Sequence, residues 1–149
     1  MVSQEIITRL FSLLNRYLSE LKAEQQTTWE DFSKDVKIKR FVERTLQMVI
    51  EVCFDAGNHI ISDEGWFEAE TNREIFIRLN EKKVISSALL ENLLQMASFR
   101  NRIVHDYAEI NPEIVFGILK NHLKDFESYV SEIFKWINGE KINDRNKIR

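Results

Sequence analysis

The chain has 149 residues, of which 44% are hydrophobic, 30% charged and 11% aromatic, enough apolar material for one sizeable core and too much for a disordered or low-complexity protein. Four glycines and one proline supply few turns, which disfavours a many-stranded sandwich or barrel and predicts an all-α fold, while the lone Cys53 excludes an intrachain disulfide and a cysteine-rich metal site. With 21 basic against 24 acidic residues the net charge is −3, so nucleic-acid binding would need a local positive site rather than a general basic excess. No apolar run approaches the ~18 residues of a membrane span, and the N-terminus lacks the basic start and apolar block of a secretory signal, so a cytoplasmic location and no membrane partner are expected.

Ile7, Leu10, Phe11, Leu14, Tyr17, Leu18 and Leu21 recur at spacings of three and four, predicting a first helix over residues 2–24. Thr28 with Asp31 three residues later has capping-box spacing, and Ser33 is another possible start, so a long second helix begins near here. Its apolar side carries Val42, Leu46, Val49, Ile50, Cys53, Gly57, Ile60 and Ile61, widened by Phe41, Met48, Val52 and Ala56, and a stripe that broad must be covered on more than one side. Ala56 and Gly57 would admit a neighbouring backbone closely, and Asp63, Glu64 and Gly65 read as the stop.

Thr71 and Glu74 open a short third helix through Ile75, Phe76 and Leu79 to about Lys82. Ser86 caps a fourth, with Ile85 and Leu90 as its hydrophobic staple, running to about Tyr107. Asn111 before Pro112 starts a fifth, in which Val115, Leu119, His122, Phe126, Val130, Ile133 and Ile137 form the apolar face and Asn138 and Gly139 mark the end. The expectation is one up-and-down bundle of about five helices over residues 1–140, followed by a polar, basic and frayed tail over 141–149.

The fourth helix breaks the pattern. At 100° per residue, Leu89, Leu93, Met96, Ile103, Val104 and Tyr107 lie within roughly 60° of Arg100, which places a fixed cation in the middle of an apolar stripe. An unpaired buried charge costs several kcal/mol, so Arg100 must face a carboxylate, reach a wet cleft or lie at an anion-binding interface. Asn101 and His105, four residues apart, share an adjacent face within reach of a long arginine side chain. The stretch RNRIVHDY thus groups a guanidinium, an amide, an imidazole and a phenol.

Arginine binds two phosphate oxygens and histidine titrates near neutrality, so the set suits phosphoryl transfer, and the sequence contains no matching metal-ligand set and calls for no cofactor. With RNA as substrate, its own 2′-hydroxyl can serve as nucleophile, leaving a base, an acid and a cation to be supplied. One chain offers one good histidine. A homodimer pairing the fourth helix with its copy would offer two, one taking and one giving the proton.

Arg100-Asn101-x-x-x-His105-x-Tyr107 resembles the R-x4-H-x-Y motif of HEPN proteins, specifically HepT-type toxins of prokaryotic toxin–antitoxin pairs, and RFVERTLQMVIEVCFDAGNHII is similar to that family's second helix. The resemblance covers roughly residues 35–137 and implies a helical bundle that dimerises through the motif helix. It further implies metal-independent RNA cleavage, with Arg100 and His105 catalytic and Asn101 their polar partner. A cognate MntA-type nucleotidyltransferase antitoxin is implied too, adding AMP to Tyr107 and so placing a bulky anion beside the arginine. The rival expectation is a non-catalytic HEPN binding module partnering a nucleotidyltransferase.

Other residues read more plainly. His122, on an apolar stripe, is expected to be a satisfied core or interface histidine, His59 structural or exposed, and Cys53 a small core residue. Lys34, Lys37, Lys39, Arg40 and Arg44 form a basic cluster that is a solvated face or, alternatively, an RNA track. Trp29, Trp66 and Trp136 lie near helix ends, where packing is the default.

Overall fold

The computed structural model describes residues 3–105 and 110–148, which form seven helices and, among the described residues, no strand. These are α1 (Gln4–Ala23), α2 (Trp29–Lys34), α3 (Val36–Asp63), α4 (Asn72–Glu81), α5 (Ser87–His105), α6 (Pro112–Asn121) and α7 (Leu123–Ile148). The all-α expectation holds; seven helices replace about five because two of the expected ones are broken. None is long and apolar enough to cross a membrane among the described residues.

The first break is at Asp35. Its extended backbone (φ −97°, ψ 102°) ends α2, and its carboxylate accepts from the amides of Lys37 (2.9 Å) and Ile38 (3.1 Å), capping α3. Thr28 caps only the six-residue α2, accepting from the Asp31 amide at 3.2 Å. The long helix therefore starts at its own aspartate cap, not at the first cap in the sequence. The second break is at His122, whose backbone (φ −122°, ψ 5°) separates α6 from α7.

Expected caps appear at Thr71, which accepts from the Glu74 amide, and at Asn111, which accepts from the Glu113 amide with Pro112 at the first helical position. Ser86 accepts from the Leu89 amide at 3.3 Å. At the end of α3, Gly65 takes a left-handed backbone (φ 68°) while the amides of Trp66 and Gly65 bond to the carbonyls of Ile61 and Ser62, which is a Schellman ending. The same pattern closes α4, but with Lys83 at φ 61° in the left-handed position. The expected end near Asn138 and Gly139 is overturned: Gly139 adopts no positive φ and α7 continues to Ile148. Glycine lowers helix propensity by about 1 kcal/mol but stops a helix only where the chain turns left-handed.

Helix α3 is the hub, packed against α1, α2, α4, α5, α6 and α7, which is how its broad stripe is covered. Val42, Leu46, Val49, Ile50, Val52, Cys53, Ala56, Ile60 and Ile61 are all buried, whereas Phe41 stays exposed and Met48 is half-buried, so the stripe is narrower at its start than expected. Gly57 admits side chains rather than a backbone: a Cβ there would meet Ile75 Cγ2 at 2.5 Å, Tyr129 Oη at 3.0 Å and Leu79 Cδ1 at 3.2 Å. Tyr129 of α7, fully buried, donates to the Cys53 carbonyl at 2.8 Å. Burial pushes the Cys53 thiol far up, so it is an inert core residue as expected.

Candidate functional site

Along α5, Leu89, Leu93, Met96, Ala97 and Phe99 are buried, but the apolar line loosens toward the C-terminal end: Ile103 is half-buried and Val104 is 39% exposed. Arg100 stands where the stripe gives way to solvent, its side chain 21% exposed. It faces a carboxylate, the first of the three options the sequence left open. The Nε and Nη2 groups of Arg100 both donate to Oε1 of Glu51 on α3, each at 3.2 Å. Its guanidinium lies over the ring of Phe54, 5.8 Å from the centroid.

Glu51 is braced in turn. Gln47, one turn earlier on α3, donates from Nε2 to the same Oε1 at 3.2 Å. One turn later, burial and the Glu51 charge both raise the Asp55 carboxyl above its ordinary value. Asn101 is half-buried and His105 is exposed on the last turn of α5. Among the described residues no hydrogen bond joins Arg100 directly to Asn101 or His105. Tyr107, with Asp106, Ala108 and Glu109, lies outside the described residues.

On its other flank α5 forms a groove of about 350 Å³ with α6, bordered by Asn92, Ser98, Phe99, Arg102, Ile114 and His122 among others. His122 is not a core residue: its side chain is 43% exposed, and Nδ1 lies 3.0 Å from Oδ2 of the buried Asp125, whose other oxygen accepts from Asn92 at 3.2 Å. His59 lies 3.0 Å from Asp63 and is part-buried. In the basic cluster Lys34 pairs with Glu30 and Lys39 donates to the Ser33 carbonyl, while Lys37, Arg40 and Arg44 are exposed. Trp66 packs edge-on against Trp136, with centroids 5.7 Å apart.

Glu51, Gln47 and Phe54 are the site residues that sequence reasoning missed. The demand that Arg100 meet a carboxylate was legible. Which of 24 acidic residues answers it was not, because the partner lies 49 positions away on another helix. The only local hint is the i, i+4 spacing of Gln47, Glu51 and Asp55 along one polar edge of α3.

The family model described as "Ribonuclease HepT-like" matches residues 14–133. A curated protein named tRNA nuclease HepT, from Aphanizomenon flos-aquae, is 30% identical over 140 residues, covering 93% of this chain and 95% of its own. One named mRNA nuclease HepT, from Shewanella oneidensis, is 34% identical over 102 residues, covering 68% of this chain and 77% of its own. A solved structure of the tri-AMPylated Shewanella oneidensis HEPN toxin in complex with MNT antitoxin superposes with a TM-score of 0.83 at 28% identity, over 89% of this chain and 99% of that one.

Proposed function

This chain belongs to the ribonuclease HepT-like family, and on that premise we propose that it is the ribonuclease toxin of a toxin–antitoxin pair, cutting RNA without a metal ion or other cofactor. The observation that carries the reading is the end of α5: a guanidinium anchored at the edge of the core and, five residues on, an imidazole open to solvent. The names of the relatives, one a tRNA nuclease and the other an mRNA nuclease, support RNA as the substrate class.

The working unit is a homodimer that sets two α5 helices across one cleft. One His105 imidazole takes the proton of a ribose 2′-hydroxyl, whose oxygen attacks the adjacent phosphorus. Arg100 stabilises the charge that builds on the non-bridging oxygens, and the second His105 returns a proton to the departing 5′-oxygen. The bond to the 5′-oxygen breaks as the bond to the 2′-oxygen forms, leaving a cyclic phosphate and a free 5′-hydroxyl. Asn101 orients the phosphate or the imidazole. Residues 1–140 make up the catalytic unit, 141–149 a basic extension, and the protein works in the cytoplasm.

The cognate antitoxin is a nucleotidyltransferase that silences the toxin by adding AMP to Tyr107. The tri-AMPylated state of the Shewanella toxin in its antitoxin complex supports this regulation. An anion on Tyr107, seven residues from Arg100, would compete with RNA for the same guanidinium and occupy the cleft.

The test is cleavage of a total RNA pool by purified protein in excess chelator, beside identically purified His105→Ala, with Tyr107 shown unmodified by mass. Cleavage by wild type alone is expected. Equal cleavage by both proteins would place the activity elsewhere, and cleavage by neither would favour a HEPN binding module that partners the nucleotidyltransferase without cutting RNA.

A further inference from the structure

We propose that Glu51 is the positioning residue of the site: it clamps one edge of the Arg100 guanidinium so that the opposite edge stays aimed outward for a phosphate. The inference rests on the ribonuclease reading for what the aimed edge binds, but the clamp itself stands on geometry. Glu51 Oε1 takes both the Nε and the Nη2 hydrogens at 3.2 Å, fixing the guanidinium in its plane. Phe54 supports one face at 5.8 Å, and Gln47 holds the carboxylate from the helix turn before. A side chain with four rotatable bonds is thereby reduced to one orientation.

Chemistry then separates a clamp from a brake. A guanidinium has five N–H donors, and this arrangement consumes two, both on a single carboxylate oxygen. The Nη1 pair and the second Nη2 hydrogen remain, which is the set that grips two phosphate oxygens side by side. RNA can therefore engage Arg100 without displacing Glu51. With the side chains 21% and 35% exposed the pair is part-buried, so it offsets the cost of holding the Arg100 charge at the core edge, and its geometry adds a second effect. That effect is to pre-set the orientation of a group whose misplacement by about 1 Å is enough to cost ~100-fold in rate.

The experiment uses the full chain in wild-type, Glu51→Gln, Arg100→Ala and doubly substituted forms, measuring RNA cleavage and the Arg100 Nε–H resonance by NMR. Glu51→Gln should lower kcat about tenfold with KM changed less than about twofold, and should cost nothing further in the Arg100→Ala background, because a positioning residue acts only through the group it positions. Cleavage by Glu51→Gln at or above the wild-type rate, or an equal loss in the Arg100→Ala background, overturns the proposal. The resonance reads the clamp apart from turnover: slow exchange in wild type and fast exchange in Glu51→Gln support it, and equal exchange in both overturns it. Wild-type protein that cleaves no RNA while showing that difference would overturn the ribonuclease reading and leave the clamp standing.

Discussion

Replacing Gly57 with alanine sets two terms of opposite sign against each other in the middle of α3. Helix propensity favours alanine by about 1 kcal/mol. Against it, the new Cβ would sit 2.5 Å from Ile75 Cγ2 and 3.2 Å from Leu79 Cδ1, where ordinary carbon contacts lie at ~3.5–4.0 Å. Ile75 is β-branched and 1% exposed, so relief requires α4 to move or a side chain to leave its rotamer, and overpacking of this kind costs about 1–3 kcal/mol. The Cβ would also press on Tyr129 Oη at 3.0 Å, threatening its bond to the Cys53 carbonyl, worth about 1 kcal/mol. Steric cost wins, with a net destabilisation of about 1–3 kcal/mol. For a chain of this size that lowers Tm by about 3–10 °C, measured by circular dichroism on heating. Ile75→Leu in the same background removes the offending methyl and should recover part of the loss. An unchanged or raised Tm in Gly57→Ala would refute the packing argument.

Three further outcomes are expected. Arg100→Lys keeps the charge but loses the fork, so RNA cleavage should fall about 100-fold while Tm moves by less than about 3 °C; a collapse of stability instead would show that the Glu51 pair is chiefly structural. Asp55 has its carboxyl raised by burial and then by Glu51, so ionisation opposes folding, a penalty complete above the folded value and absent below the unfolded value of about 4. Asp55→Asn should therefore raise Tm at pH 7, with the gain shrinking as the pH falls toward 4; a gain that grows on acidification would contradict this sign. Lys83→Gly should stabilise by about 0.5–1 kcal/mol in chemical denaturation, because the left-handed conformation costs an L-residue roughly 1–2 kcal/mol and glycine's extra chain entropy returns only part of that. A loss of stability there would mean that the Lys83 side chain makes contacts outweighing the strain.

What the sequence by itself determined is local or periodic. The apolar repeats of α1, α3, α4 and α7, the caps at Thr71, Ser86 and Asn111, and the stop at Gly65 are properties of neighbouring residues, and the structure contains them. So is the anomaly of Arg100, since a cation inside an apolar stripe is visible without knowing what it meets. Two helix breaks escaped the same reading because Asp35 and His122 sit inside runs whose periodicity passes through them unchanged, and a cap shows only when the backbone leaves the helix. Tertiary structure alone decided that Asn92 of α5 meets the buried Asp125, that Phe41 remains in solvent, and that Glu51 holds Arg100. Each depends on which helices pack side by side and at what register. Periodicity states which face of a helix is buried, but a charge finds its partner by distance in space, and only the packed bundle sets that distance.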